Sequence, residues 1–256
     1  MKQNNGAIRR LKHRYIFLSA IVALLCVPWQ AALAGQGEGP AEELTALKVR
    51  CDHLVNYFPD GITVEYDSAL ATVIDQFVEE GYFRDTGEYI QRRLITTRLA
   101  AGADTVYTVD FHPGFSLDPM FIIYGGEPGN LKPLGYGING LHISFPGDGF
   151  FYLTGHTDNC FNQRRKFTVR DGAVVEIRQP FYYVGLQTVA KADFDLYLDI
   201  ESTQVVGHVT SGTPITVVVN SGDSYLIKTP RDILGWTKFE AGRQDTVIQG
   251  IFFFGD

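Results

Sequence analysis

The densest run of chemistry-bearing residues in the chain is His156-Thr157-Asp158-Asn159-Cys160, where an imidazole, a carboxylate and a thiol alternate over five positions. On an extended chain alternate side chains share a face, so His156, Asp158 and Cys160 can converge. A zinc site would need three or four ligands, with His53, His112 or His142 supplying the remainder. A thiol nucleophile at Cys160 would need a partner imidazole, which the spacing does not fix. The plainer reading is a polar turn in which Asp158 and Asn159 bond their own backbone and Cys160 is bridged or buried. It outweighs both chemistries. His156 and Asp158 are therefore weak metal candidates, no catalytic residue is assigned, and no cofactor is expected.

Carboxylates also occur in pairs, at Asp193 and Asp195 and at Glu79 and Glu80. Glycoside hydrolysis would need two of them held about 5–10 Å apart in a cleft, and solvated faces account for them equally simply. Aromatic residues offer another surface: Tyr182 and Tyr183 beside Phe181, and Tyr197, Tyr225 and Trp236 further on. In alternating strands such rings can line a groove that stacks on sugars or grips a peptide, because a flat ring gives large contact area at small entropic cost. Core packing is the competing role for all five candidate ligand-binding residues.

The amino terminus sets the compartment in which any of this chemistry would run. Lys2, Arg9, Arg10, Lys12 and Arg14 precede an uncharged apolar run over 15–29, followed by Ala32-Leu33-Ala34. That is the layout of a secretory signal peptide over 1–34, so the product is expected to be periplasmic or secreted. A spanning anchor would need about 20 apolar residues, and this run is broken by Pro28 and Gln30. A lipid-modified Cys26 would require a small residue where the bulky Leu25 stands. After cleavage no stable membrane insertion is expected.

Five of the chain's 22 Lys and Arg lie in that leader, leaving 17 against 29 Asp and Glu, or about −12. A surface of that sign is repelled by nucleic acid and by anionic headgroups, so nucleic acid is not an expected partner. The short basic run Arg164-Arg165-Lys166 reads as a solvated strand edge. Cys26 leaves with the leader, and Cys51 and Cys160 remain. In an oxidising compartment they either bridge or stand as two buried thiols.

Which elements position these residues follows from periodicity. Over 67–80, Leu70, Val73, Ile74, Phe77 and Val78 recur at spacings of three and four, which predicts an amphipathic helix. Over 88–99, Tyr89, Ile90, Leu94, Ile95 and Leu99 predict a second, although Ile-Thr-Thr also suits a strand. From residue 105 onward, short Val-, Ile-, Tyr- and Phe-rich runs alternate with turn formers, predicting strands over 105–111, 120–124, 141–145, 150–154, 166–169 and 174–178. Asp171-Gly172 marks a hairpin turn. Further short strands are predicted over 196–198, 204–209, 214–219, 225–229 and 235–239.

That last region carries a resemblance. Val205-Val206-Gly207, Ser211-Gly212-Thr213, Thr216-Val217-Val218-Val219, the run from Asp223 to Thr229 and Gly235-Trp236-Thr237-Lys238 resemble the bacterial SH3-like domain. The chain departs from that pattern in having Tyr225 where a Trp is common. Residues 155–185 look similar to exported bacterial proteins that pair a unique domain with this barrel. With the leader and the periodicities above, the resemblance gives an expected α+β, mostly β protein: a signal peptide over 1–34, a flexible linker over 35–43, a helix-bearing antiparallel domain over 44–188, an SH3-like β-barrel over 190–245, which the resemblance implies, and a tail over 246–256 that packs back. It also implies an exported, non-enzymatic binding protein whose barrel recognises a cell-envelope ligand such as a peptidoglycan peptide, or an envelope protein. The alternative is a cell-envelope hydrolase with a site near His156 to Cys160.

Overall fold

Turn-forming residues divide the chain into short β-branched and aromatic runs, and these pair into three sheets. The structure is a computed structural model that describes residues 43–49, 61–78, 91–114, 118–155, 159–239 and 246–252. The expected leader, most of the expected linker, and Cys51, His53, His156 and Asp158 lie outside the described residues. Among the described residues no helix is long and apolar enough to cross a membrane.

With strands numbered in chain order, the first sheet runs β1 (Thr45–Val49), β2 (Ile62–Tyr66), β9 (His142–Phe145), β10 (Phe151–Thr154), β11 (Arg165–Arg170) and β12 (Ala173–Glu176). Its pairings are antiparallel except that of β2 with β9. The second sheet runs β3 (Ala71–Val78), β4 (Gln91–Thr97), β5 (Tyr107–His112), β6 (Met120–Gly125) and β7 (Lys132–Pro133), with β8 (Ile138–Asn139) also on β6. Alternate apolar residues of the two sheets meet in one core. Ile62, Val64, Ile143, Phe145, Phe151, Leu153 and Phe167 come from the first sheet, and Leu94, Ile95, Val109, Phe111, Phe121 and Ile123 from the second. Phe145, Phe151 and Phe167 stack in sequence at centroid separations of 5.4 and 5.3 Å.

The third sheet runs β13 (Tyr182–Val189), β16 (Pro214–Ser221), β17 (Ser224–Lys228), β18 (Leu234–Lys238), β14 (Phe194–Tyr197) and β15 (Val205–Val209). It has a core of its own, built from Leu196, Val209, Ile215, Val217, Tyr225 and Ile227 with Cys160, Phe161, Ile248 and Ile251. The segment after residue 246 lies along the sheet: Ala190 bridges Ile248, and the Lys191 N–H donates to the Val247 carbonyl at 2.7 Å.

The expected α+β fold is corrected on two points. First, the described residues are all-β. The segment read as a helix over 67–80 is a turn, in which the Asp67 carboxylate accepts the Ala69 N–H, followed by β3. Where β3 pairs with β4 the register shifts between Val73 and Gln76, and Asp75 sits there at φ 51°. A bulge inserts one residue into a period of two, so apolar residues on one face fall three or four apart and imitate helical spacing. The second expected helix is β4, whose own register shift between Arg93 and Ile95 buries the consecutive Leu94 and Ile95.

Second, the third sheet is open and not an SH3-like barrel. Closure would need β13 and β15 to pair, and among the described residues each is an end of the strand order. Moreover β13, which precedes the expected boundary at residue 190, hydrogen-bonds to β16. The basic run also sits elsewhere than expected: β11 lies between β10 and β12, and Lys166 Nζ stands 3.6 Å above the Phe150 ring.

Gly235 earns its place through packing. A Cβ there would lie 2.6 Å from Leu196 Cβ and 3.1 Å from Val206 Cγ2, so glycine lets Leu196 seat fully buried against β18. Gly235→Ala is expected to destabilise the protein by about 1–3 kcal/mol by overpacking this contact. Urea unfolding checks it, and an unchanged midpoint would show that the sheet yields without strain.

Candidate functional site

Residues directly opposite each other on paired strands present their side chains to the same face. Following the register across the third sheet gives an unbroken row. Tyr183 of β13 faces Val219 of β16, which faces Leu226 of β17; Leu226 faces Trp236 of β18, Trp236 faces Tyr197 of β14, and Tyr197 faces Val205 of β15. Each residue of the row is the direct partner of the next, and the register shifts in β13, β16 and β15 lie beside the row and not within it. Tyr183 is 74% exposed, Val205 is 50% exposed, and the four between them are half-buried. Phe181, two residues before Tyr183, lies 5.9 Å from Trp236. At about 4.8 Å between strands the row spans roughly 24 Å.

Polar rows border it on both sides. On one side stand Lys238, opposite Ser224, and the pair Asp195 and His208, whose Oδ1 and Nδ1 are 2.8 Å apart. On the other side Gln187 faces Thr216, which faces Lys228, and the row ends in the exposed Leu234 opposite Lys228, whose Nζ is paired with Asp232 Oδ1 at 2.7 Å. That second border opens into a shallow depression of about 250 Å³ lined by Gln187, Thr216, Lys228 and Thr229 with Pro214 and Pro230.

Of the five aromatic candidates, the sheet brings Tyr183, Tyr197 and Trp236 together on this outward row. Tyr225 and Tyr182 go to the opposite face. Tyr225 pairs with Asn220, is 4% exposed, and packs edge-on to Phe161 at 6.3 Å and against Phe239 at 5.3 Å. Burial pushes its phenol pKa up, reinforced by the hydrogen bond with Cys160. Tyr182, Tyr225 and Cys160 line a cavity of about 270 Å³ with Asn220, Phe239 and Ile251. Cys160 carries a free, buried thiol, and its expected partner Cys51 lies outside the described residues.

The histidines proposed to complete a metal set are dispersed. His112 is on β5 in the second sheet, where its Nδ1 accepts the Gly114 N–H at 2.9 Å. His142 is on β9 in the first, with Nε2 3.0 Å from Glu65 Oε2. Among the described residues no group of three or more His, Cys, Asp or Glu could hold a metal ion. The carboxylate pair Asp193 and Asp195 converges on His208, at 4.0 and 2.8 Å, on an exposed surface.

A polar cluster escaped the sequence reading. On β5 the fully buried Asp110 accepts from Arg93 Nε at 3.0 Å, from Arg93 NH2 at 3.2 Å and from Gln91 Nε2 at 2.6 Å, and Gln91 Nε2 also donates to the Tyr124 hydroxyl at 2.9 Å. Burial raises the Asp110 pKa, while Arg93 and Gln91 oppose that rise. The alternation of Thr108, Asp110 and His112 with Val109 and Phe111 was the available signal, but it reads equally as a solvent-facing side of a strand. No family model matches this chain, nor does any curated protein or solved structure.

Proposed function

We propose that the protein is an exported binding protein that takes a cell-envelope ligand on the outward face of its third sheet. The observation that carries this reading is the row from Tyr183 to Val205, bordered by Phe181. Of the twelve large hydrophobic side chains exposed among the described residues, Phe181, Tyr183, Val205 and Leu234 lie on or beside this row. Apolar surface concentrated in this way marks an interaction site, whereas scattered single residues do not. The leader-like amino terminus supplies the compartment. The barrel once expected to hold the ligand is replaced by an open sheet, and the recognising surface is a face and not a cleft.

Retention on purified cell wall tests the reading. The wild-type protein is expected to sediment with the wall, and Trp236→Ala to lose at least about tenfold in retention, since an aromatic anchor contributes both area and ring geometry. Cys160→Ser, on the opposite face, is expected to leave retention unchanged. Equal retention of wild type and Trp236→Ala, or none by either, would remove this function.

A further inference from the structure

We infer that the ligand of this face is an uncharged, linear oligosaccharide lying across the strands, with its sugar rings stacked on Tyr183, Trp236 and Tyr197. The inference rests on the binding role proposed above and deepens it.

Direction is the first argument. The row runs perpendicular to the strands and presents side chains from six of them, not the free N–H and C=O groups of an edge. Strand addition by a peptide uses an edge and pockets for alternate side chains. The cavity of about 270 Å³ lined by Cys160 and Tyr225 is on the inner face and cannot serve as such a pocket here.

The pattern of polarity is the second. A pyranose chain has apolar C–H faces and a rim of hydroxyl groups. An aromatic and aliphatic row with polar side chains on either side is complementary to both at once: rings against Tyr183, Trp236 and Tyr197, hydroxyls toward Asp195, Lys238, Gln187 and Thr216. The depression beside Thr216 and Lys228 gives room for a ring substituent.

Charge is the third. Asp195 is hydrogen-bonded to His208, Lys228 is paired with Asp232, and Lys238 adds a positive charge on the Asp195 side, so the borders offer hydrogen bonds and charges of both signs. The chain as a whole is acidic, which disfavours polyanions. A neutral polyol suits that surface better than an acidic peptide or an anionic lipid. The roughly 24 Å length corresponds to several consecutive rings and not to one.

Trp29 lies in the expected leader, so Trp236 is the one tryptophan of the mature protein and its emission reports on the row alone. Titration with a β-1,4-linked N-acetylglucosamine hexamer is expected to shift that emission saturably, with affinity rising at least about tenfold from the dimer to the hexamer. Tyr183→Ala and Tyr197→Ala, both at side chains outside the core, are each expected to weaken the hexamer about tenfold. A free stem peptide of peptidoglycan is expected to leave the emission unchanged. If the peptide binds and the hexamer does not while wall retention persists, the glycan inference falls and the binding role stands. If neither wall nor hexamer is bound, both fall. Hexamer binding indifferent to Tyr183→Ala and Tyr197→Ala would place the sugar away from this face and overturn the inference.

Discussion

Acidification from pH 7 to pH 4 is expected to remove about 3 kcal/mol of stability through His112 alone. The side chain is fully buried on β5, and its Nδ1 accepts the Gly114 N–H, which fixes the neutral imidazole with its proton on Nε2. Protonating Nδ1 would turn that acceptor into a donor facing a donor. Burial accordingly lowers the His112 pKa from 6.5 to about 4. Between those values the unfolded chain binds a proton that the folded chain refuses. Stability is therefore full above about pH 6.5, declines as the pH falls toward 4, and levels off below. At about 1.4 kcal/mol per pKa unit, the loss across the window is about 3 kcal/mol. Asp110, two residues away, shifts in the opposite direction, so its linkage partly offsets the total and must be separated. His112→Asn does so: an Asn oxygen can accept the same N–H two residues on, but does not titrate. Urea unfolding of both proteins at pH 7, 5.5 and 4 should show the wild type losing more. Parallel curves would sink the idea.

How far the sequence disclosed this molecule depends on whether local pattern and tertiary pairing agree. Most strands after residue 105 were legible because their runs are short, β-branched and punctuated by turn formers such as Asp171-Gly172, whose positive φ values of 52° and 74° are observed, whereas the two-residue β7 and β8 and the Gly185-interrupted β13 were not. Residues 67–80 and 88–99 were misread because both strands carry bulges, and their apolar spacing reports the register shift instead of a helix. Gly235-Trp236 was legible as a local feature, yet its cause is the approach of Leu196, a contact made across strands. The open end of the third sheet was invisible, since the order that places β14 between β18 and β15 leaves no mark in a list of short strands.

The aromatic surface divided along the same line. Tyr183, Tyr197 and Trp236 share one face because of the register in which their strands pair, which a one-residue slip would reverse. Tyr225 was chosen on residue type and is a core residue, its neighbour Leu226 being the one on the row. Val219 and Val205 were missed because aliphatic residues carry no chemical signature until their neighbours are known. His156 and Asp158 lie outside the described residues, so the sharpest cluster in the sequence keeps Asn159 and Cys160 in the structure, where the Cys160 N–H donates to Asn159 Oδ1 at 2.7 Å.

Removal of the Arg93 guanidinium is expected to have the largest effect on stability of any single change considered. Asp110 has no exposed surface, and its carboxylate is held by Arg93 Nε and Nη2 and by Gln91 Nε2. A charge in that position is tolerated because a bidentate, charge-assisted pair replaces its lost hydration. Arg93→Met leaves the carboxylate buried without a cation, at an expected loss of about 3–5 kcal/mol near pH 7. The loss should diminish with acidity. Without Arg93 the folded-state carboxyl binds its proton at still higher pH than the already raised value, while the unfolded carboxyl keeps its ordinary pKa. The folded variant thus binds more protons over the intervening range, and its stability relative to wild type increases as the pH falls through it. The double variant Arg93→Met with Asp110→Asn removes the charge together with its partner, and should recover most of the loss, because replacing a whole buried pair is far less disruptive than breaking it. Urea midpoints for the wild type, both single variants and the double give the coupling directly. A loss under about 1 kcal/mol in Arg93→Met, or a double variant as unstable as the sum of the singles, would mean that water or another cation reaches Asp110 and that the pair does not hold the second sheet together.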